Sequence, residues 1–163
     1  MKYYLTIDAG TSVIKSVLFN TNFKEVLSYS VKNPVIIDQN GNSEIDMNDF
    51  WKLTTKCIKI LLNKSKVKSQ SIIGIGITGN MVGLWSIDHN YKPVRKAILW
   101  NDTRSHKIFK NAKIFDQVYN LTGSIVQFGC TIPILKWISV FEKQNLNKIK
   151  FILTCKDWLR FNL

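Results

Sequence analysis

The stretch Ile7-Asp8-Ala9-Gly10-Thr11-Ser12-Val13-Ile14-Lys15 decides how the chain is read. The flanking runs, Tyr3 to Ile7 and Val13 to Phe19, are rich in β-branched and aromatic side chains that suit strands. Small and polar residues fill the bend, with a single carboxylate at its start. Gly10 can take φ > 0 and expose backbone N–H groups, while Thr11 and Ser12 add hydroxyl donors. Such a bend makes a nest for a terminal phosphate, with Lys15 as a nearby point charge. Asp8 cannot bind phosphate directly but can hold Mg²⁺ through water, because that ion keeps most of its hydration shell. An ordinary hairpin turn, with Asp and Gly chosen for geometry, accounts for the same residues. The bend alone leaves both readings open.

The rest of the chain narrows the class. Its 163 residues have the length of one domain and can bury a core, and 45% of them are apolar. No apolar run is long enough to span a bilayer, and Asp8 interrupts the one N-terminal run that could resemble a signal peptide. Cys57, Cys130 and Cys155 are odd in number and far apart, and two histidines complete no zinc pattern. These features predict a reduced, cytoplasmic chain with no membrane partner. The formal charge of +12 raises the question of nucleic acid. Only Arg95, Arg104 and Arg160 are arginines among 23 basic residues, and the lysines are scattered. Bidentate phosphate and base recognition prefers Arg, so no nucleic-acid partner is expected.

Patterning predicts strands at Lys2 to Ile7, Val13 to Phe19 and Val26 to Val31, then a loop through Pro34 and Asp38-Gln39-Asn40-Gly41. Asp46 is placed to cap a helix, with Asp49 in its first turn. Phe50, Leu53, Thr54, Cys57, Ile58, Leu61 and Leu62 carry that helix at amphipathic spacing, which makes Cys57 a core residue. Further strands are expected at Ile72 to Thr78, Val82 to Ile87 and Ala97 to Trp100. Helical patterns cover 103–121 and 132–143, and Lys150 to Leu163 reads as a strand followed by a helix beginning near Asp157. The order argues an α/β fold with a mixed β-sheet and flanking helices.

Two further signals bear on chemistry. Gly74-Ile75-Gly76-Ile77-Thr78-Gly79 fits the dinucleotide fingerprint literally, but its glycines lie inside a strand and another strand follows. Glycines that let a neighbouring element approach closely explain it better. At Trp100-Asn101-Asp102-Thr103-Arg104, an indole, an amide, a carboxylate and a guanidinium suit a polyhydroxy ligand. The plain alternative makes Asp102 a helix cap, Arg104 its surface partner and Trp100 core.

Taken in order, these stretches resemble the N-terminal domain of the FGGY carbohydrate kinases. The matching segments are Ile7 to Lys15, Glu44-Ile45-Asp46 leading to Trp51, Ile73 to Gly83, Ile98 to Arg104, Pro133-x-Leu135-x-Trp137 and Lys156-Asp157-Trp158-Leu159. The resemblance implies a ribonuclease-H-like, actin-type ATPase fold of two domains, with ATP and sugar between them. By it, residues 1–163 form an incomplete first domain, and the nucleotide-binding C-terminal domain is absent. ATP and Mg²⁺ are the implied cofactors, and the acceptor is a hydroxyl of a ketopentose, related sugar or polyol.

The resemblance assigns Gly10, Thr11, Ser12 and Lys15 to the γ-phosphate, and Asp8 to hydrated Mg²⁺. Asn80, Met81, Val82, Trp100, Asp102 and Arg104 would border the sugar, with Phe128 near them. Xylulokinases typically show Gln-Met-His-Gly where this chain has Asn80-Met81-Val82-Gly83. A valine cannot make the histidine's hydrogen bonds, so another pentulose, a related ketose or a sugar alcohol stands beside D-xylulose. The family's catalytic Asp is expected beyond Leu163, so no residue here takes that role and the chain alone is expected to be inactive. The alternatives are a non-catalytic sugar-binding or regulatory domain, and half of a split kinase. Self-association as a homodimer, or pairing with a C-terminal half, would cover an exposed sheet.

Overall fold

The first two hairpins form because the strands alternate. In β1 (Tyr3–Ala9) Leu5, Ile7 and Ala9 are buried, while Asp8 between them is exposed. In β2 (Val13–Asn20) Ile14, Ser16, Val17 and Leu18 are buried, and β3 (Glu25–Lys32) pairs antiparallel with it. The structure, a computed structural model, describes residues 1–109 and 112–163, with 112–114 as backbone alone. The remaining elements follow in chain order. They are β4 (Ile36–Ile37), β5 (Ser43–Ile45), α1 (Met47–Ser65), β6 (Ile72–Gly79), β7 (Gly83–Ile87) and β8 (Ala97–Leu99). Next come α2 (Ala112–Thr122), α3 (Thr131–Phe141), α4 (Lys143–Leu146), β9 (Phe151–Leu153) and α5 (Cys155–Asn162).

These elements divide into two compact units. The first holds Met1–Val35, Met47–Asn80 and Cys155–Leu163. Its sheet has the order β3-β2-β1-β6, in which β1 and β6 are parallel and the other pairs antiparallel. Helix α1 packs on β2 and β3 through the stripe Met47, Phe50, Thr54, Cys57 and Leu61, the 3- and 4-residue spacing the sequence shows. Leu5, Leu18 and Leu61 form the centre of that core. Cys57 is fully buried, as its place on the stripe predicts. Helix α5 lies against β6, and its Trp158 Nε1 donates to the Met47 carbonyl at 2.9 Å.

The second unit holds Ile36–Asp46 and Met81–Thr154. Its sheet, β4-β5-β8-β7-β9, is antiparallel throughout. Leu84 and Ile98 of the sheet meet Ile134 and Ile138 of α3 in its core.

Several expectations shift. The loop through Asp38 is a small hairpin, β4 with β5, closed by the Asp38 carboxylate, which accepts from Asn40 N, Asn42 N and Asn42 Nδ2. Gly41 there has φ +76°. The helical pattern over 103–121 is a short 3₁₀ turn at Arg104–Lys107 followed by α2, and residues 110 and 111 lie outside the described residues. The last helix begins at Cys155, ahead of Asp157. The glycines at 74, 76 and 79 do lie within a strand. A β-carbon on Gly79 would come within 2.7 Å of the Ala9 carbonyl oxygen, a close approach that explains that glycine, whereas one on Gly76 would sit an ordinary 3.6 Å from Thr6 Cγ2.

Candidate active site

The two groups of sequence-derived site residues fall in different units, apart from Asn80, and each is described in its own frame.

In the first unit, the bend Gly10–Ser12 joins β1 to β2. Asp8 and Lys15 are opposed across that pair, both exposed, and Thr78 stands beside Asp8 on the parallel strand β6. Directly opposed residues share a face, so Asp8, Lys15 and Thr78 project from the sheet's face opposite Leu5, Ile7 and Ala9. Among the described residues Asp8 makes no ion pair. Gly10 does not use the φ > 0 that a glycine can take. Close packing requires glycine there instead, since a β-carbon would lie 2.8 Å from the Val13 carbonyl oxygen.

Thr11 differs from expectation. Its hydroxyl donates to Asn80 Oδ1 at 2.6 Å, so that hydrogen is already engaged within the protein. Asn80 in turn donates its backbone N–H to the Ala9 carbonyl at 3.3 Å. Asn80, which the resemblance places by the sugar, is thereby tied to the bend. Behind the bend stands Asn33, which sequence reading missed. Its Nδ2 donates to Gly10 O at 3.0 Å and its backbone N–H to Ser12 O at 2.8 Å. An Asn before Pro34 reads as a turn residue, and nothing local marks it as a support.

In the second unit, Trp100 follows β8 and is 50% exposed, not core. Asp102 and Arg104 are both buried, so Arg104 is no surface partner. The Asp102 carboxylate accepts from Ser43 N at 2.6 Å and from Arg104 N, Nε and Nη2, each at 2.9 Å. Arg104 Nη2 also reaches Glu44 at 2.7 Å, and its guanidinium lies 5.0 Å from the centre of the Trp137 ring. Glu44 pairs further with Arg95, which pairs with Glu142. Burial alone would lower the Arg104 pKa, but hydrogen bonds to Asp102 and Glu44 outweigh it and raise the value. The sequence offers no spacing that links Arg95 and Glu142 to this network.

Met81 is exposed, and Val82 lines an apolar pocket of about 470 Å³ with residues that include Phe109, Ile125 and Ile132. Phe128 meets His106 edge-on at 4.7 Å, and its carbonyl accepts from Ser105 Oγ at 2.8 Å. Among the described residues no group of three or more His, Cys, Asp or Glu could hold a metal, and no helix is long and apolar enough to cross a membrane.

Comparison with known proteins identifies the lineage. The model of the FGGY family of carbohydrate kinases, N-terminal domain, matches residues 3–163. The chain is 34% identical over 165 residues to the xylulose kinase of Bacillus subtilis, covering 100% of this chain and 33% of that protein. It is 33% identical over 166 residues to the probable L-xylulose kinase of Pasteurella multocida, covering 100% of this chain and 34% of the relative. The crystal structure of a xyloylose kinase from Brucella ovis shares 32% identity and a TM-score of 0.90, covering 98% of this chain and 34% of the other. The fold is therefore that of the sugar kinases of the actin-like ATPase type. The chain spans about a third of the length of these relatives. It belongs to the FGGY family of carbohydrate kinases and corresponds to their N-terminal domain.

Proposed function

We propose that the chain supplies the phosphate bend and one sugar-facing wall of an ATP-dependent kinase acting on a hydroxyl of a ketopentose, related sugar or polyol. One observation carries the reading. Asp8 projects from the end of β1 beside a bend that has no room for a side chain at Gly10, and among the described residues it has no ion-pair partner. A carboxylate left exposed beside an anion-shaped bend fits a hydrated divalent cation between itself and a phosphate. Bound Mg·ATP would supply the transferable phosphoryl group, and phosphoryl transfer asks the protein mainly for position and charge. Asp8 would hold the hydrated cation, the Gly10–Ser12 backbone would face the terminal phosphate, and Lys15 would add positive charge.

On the sugar side, the half-exposed Trp100 indole offers a face to C–H groups, with Met81 and Val82 as apolar neighbours in the wall. In this reading Asp102 and Arg104 act on the sugar through the placement of Trp100, since the Asp102 carboxylate already accepts from Ser43 and Arg104. Titration with Mg·ATP and a panel of ketoses and polyols, followed by ¹⁵N amide shifts and tryptophan emission, tests the proposal. Saturable changes at Thr11 and Ser12 with nucleotide are expected, together with a sugar response that Trp100→Ala abolishes. A chain that answers to neither class of ligand at millimolar concentration is not part of such a kinase site. Coupled measurement of ADP release separates binding alone from turnover.

A further inference from the structure

We infer that Asn33 is a positioning residue for the phosphate bend, an inference that rests on the reading of Gly10–Ser12 as a phosphate site. A trans peptide points its C=O and the following N–H in opposite directions. Asn33 draws two carbonyls of the bend toward itself, Gly10 O to its Nδ2 at 3.0 Å and Ser12 O to its backbone N at 2.8 Å. The N–H groups of Thr11 and Val13, on those same peptides, are therefore turned away from Asn33. The two oxygens that would repel an anion are withdrawn together, and the bend keeps its positive side outward.

The side chain's own situation supports this role. Asn33 is only 4% exposed, and among the described residues its Oδ1 has no hydrogen-bond partner. A buried amide with an unmet acceptor is a cost to folding, which an apolar residue would avoid. What the amide provides in return is the bond to Gly10 O. Asn80 anchors the other side of the bend by holding the Thr11 hydroxyl. Two asparagines from different parts of the sequence thus fix one three-residue turn, and Asn33 is the one that sets the direction of its peptides.

The test is Mg·ATP titration of the ¹⁵N-labelled chain, reading the Thr11, Ser12 and Val13 amides in wild type, Asn33→Ala, Asn33→Asp and Leu61→Ala. Asn33→Asp keeps the size and the backbone bond to Ser12 but sets a carboxylate oxygen against Gly10 O. Leu61→Ala lowers stability from the core without touching the bend. The expected result is binding weakened by about tenfold or more in both Asn33 variants and kept within about twofold in Leu61→Ala. Asn33 variants that fold and bind within about twofold of wild type overturn the inference while the phosphate reading stands. Unfolded spectra for both Asn33 variants also overturn it, in favour of a purely structural role. A wild-type chain whose bend ignores Mg·ATP removes the phosphate reading itself, and the inference with it.

Discussion

Gly129 rests against the main chain of Trp100 so closely that a β-carbon at 129 would overlap the Trp100 carbonyl. The exposed indole is held by its backbone from this side, while Asp102 fixes the residues that follow it. Gly129→Ala is therefore expected to cost about 1–3 kcal/mol and to change Trp100's emission, because overpacking against backbone has no flexible neighbour to yield. Urea denaturation and fluorescence check both. A variant as stable as wild type with unchanged emission would show that the contact is looser than described.

Asp102→Asn removes charge from a buried pair and leaves Arg104 with Glu44 as its remaining acid. Breaking one side of a buried ion pair typically costs about 3–5 kcal/mol, and the lower end is expected because Glu44 stays. Arg104 stays charged between pH 6 and 9, because against the lowering effect of burial the hydrogen bonds to Asp102 and Glu44 raise its pKa, so the loss should not vary across that range. Denaturation curves at several pH values would expose a contribution that does vary.

Asp8→Asn touches an exposed residue without an ion pair among the described residues, so stability should change by less than about 0.5 kcal/mol. The Mg²⁺-dependent part of the ATP response should disappear. Comparing titrations with and without Mg²⁺ measures this, and an undiminished magnesium effect would relocate the cation.

Burial pushes the Cys155 thiol up to about 12 from an ordinary 9.0. The folded state thus holds the proton more tightly than the unfolded one. Its contribution to stability is complete below pH 9 and is lost as the pH rises from 9 toward 12. Near pH 8 a thiol reagent should modify the half-buried Cys130 first, with Cys57 and Cys155 reacting only on unfolding. Early labelling of Cys155 in the native chain would contradict this.

Residues whose pattern repeats locally were legible before the structure. The alternation of β1 and β2 and the stripe from Phe50 to Leu61 carry their own period, and so predict their elements closely. The bend at Gly10 was found for its composition but not for its geometry, because a contact with Val13 rather than a left-handed φ demands glycine. Long-range partners left no such trace. Asn33 lies 23 residues from Gly10, and Arg104 lies 60 from Glu44, so only tertiary structure reveals those bonds. The plain alternative, a core Trp100 and a surface Arg104, fails for the same reason. The cation could be buried because Asp102, Glu44 and the Trp137 ring were brought to it.

The chain passes from one unit to the other at 35/36, 46/47, 80/81 and 154/155. Residues emerging from a ribosome in order would therefore complete the sheet β3-β2-β1-β6 long before α5 arrives to cover β6, with all of 81–154 synthesised in the interval. During translation that strand waits uncovered, and no single proteolytic cut can release either half intact. The two units are interleaved along the chain, which makes the last nine residues as much a part of the environment of β6 as its nearest neighbours in sequence.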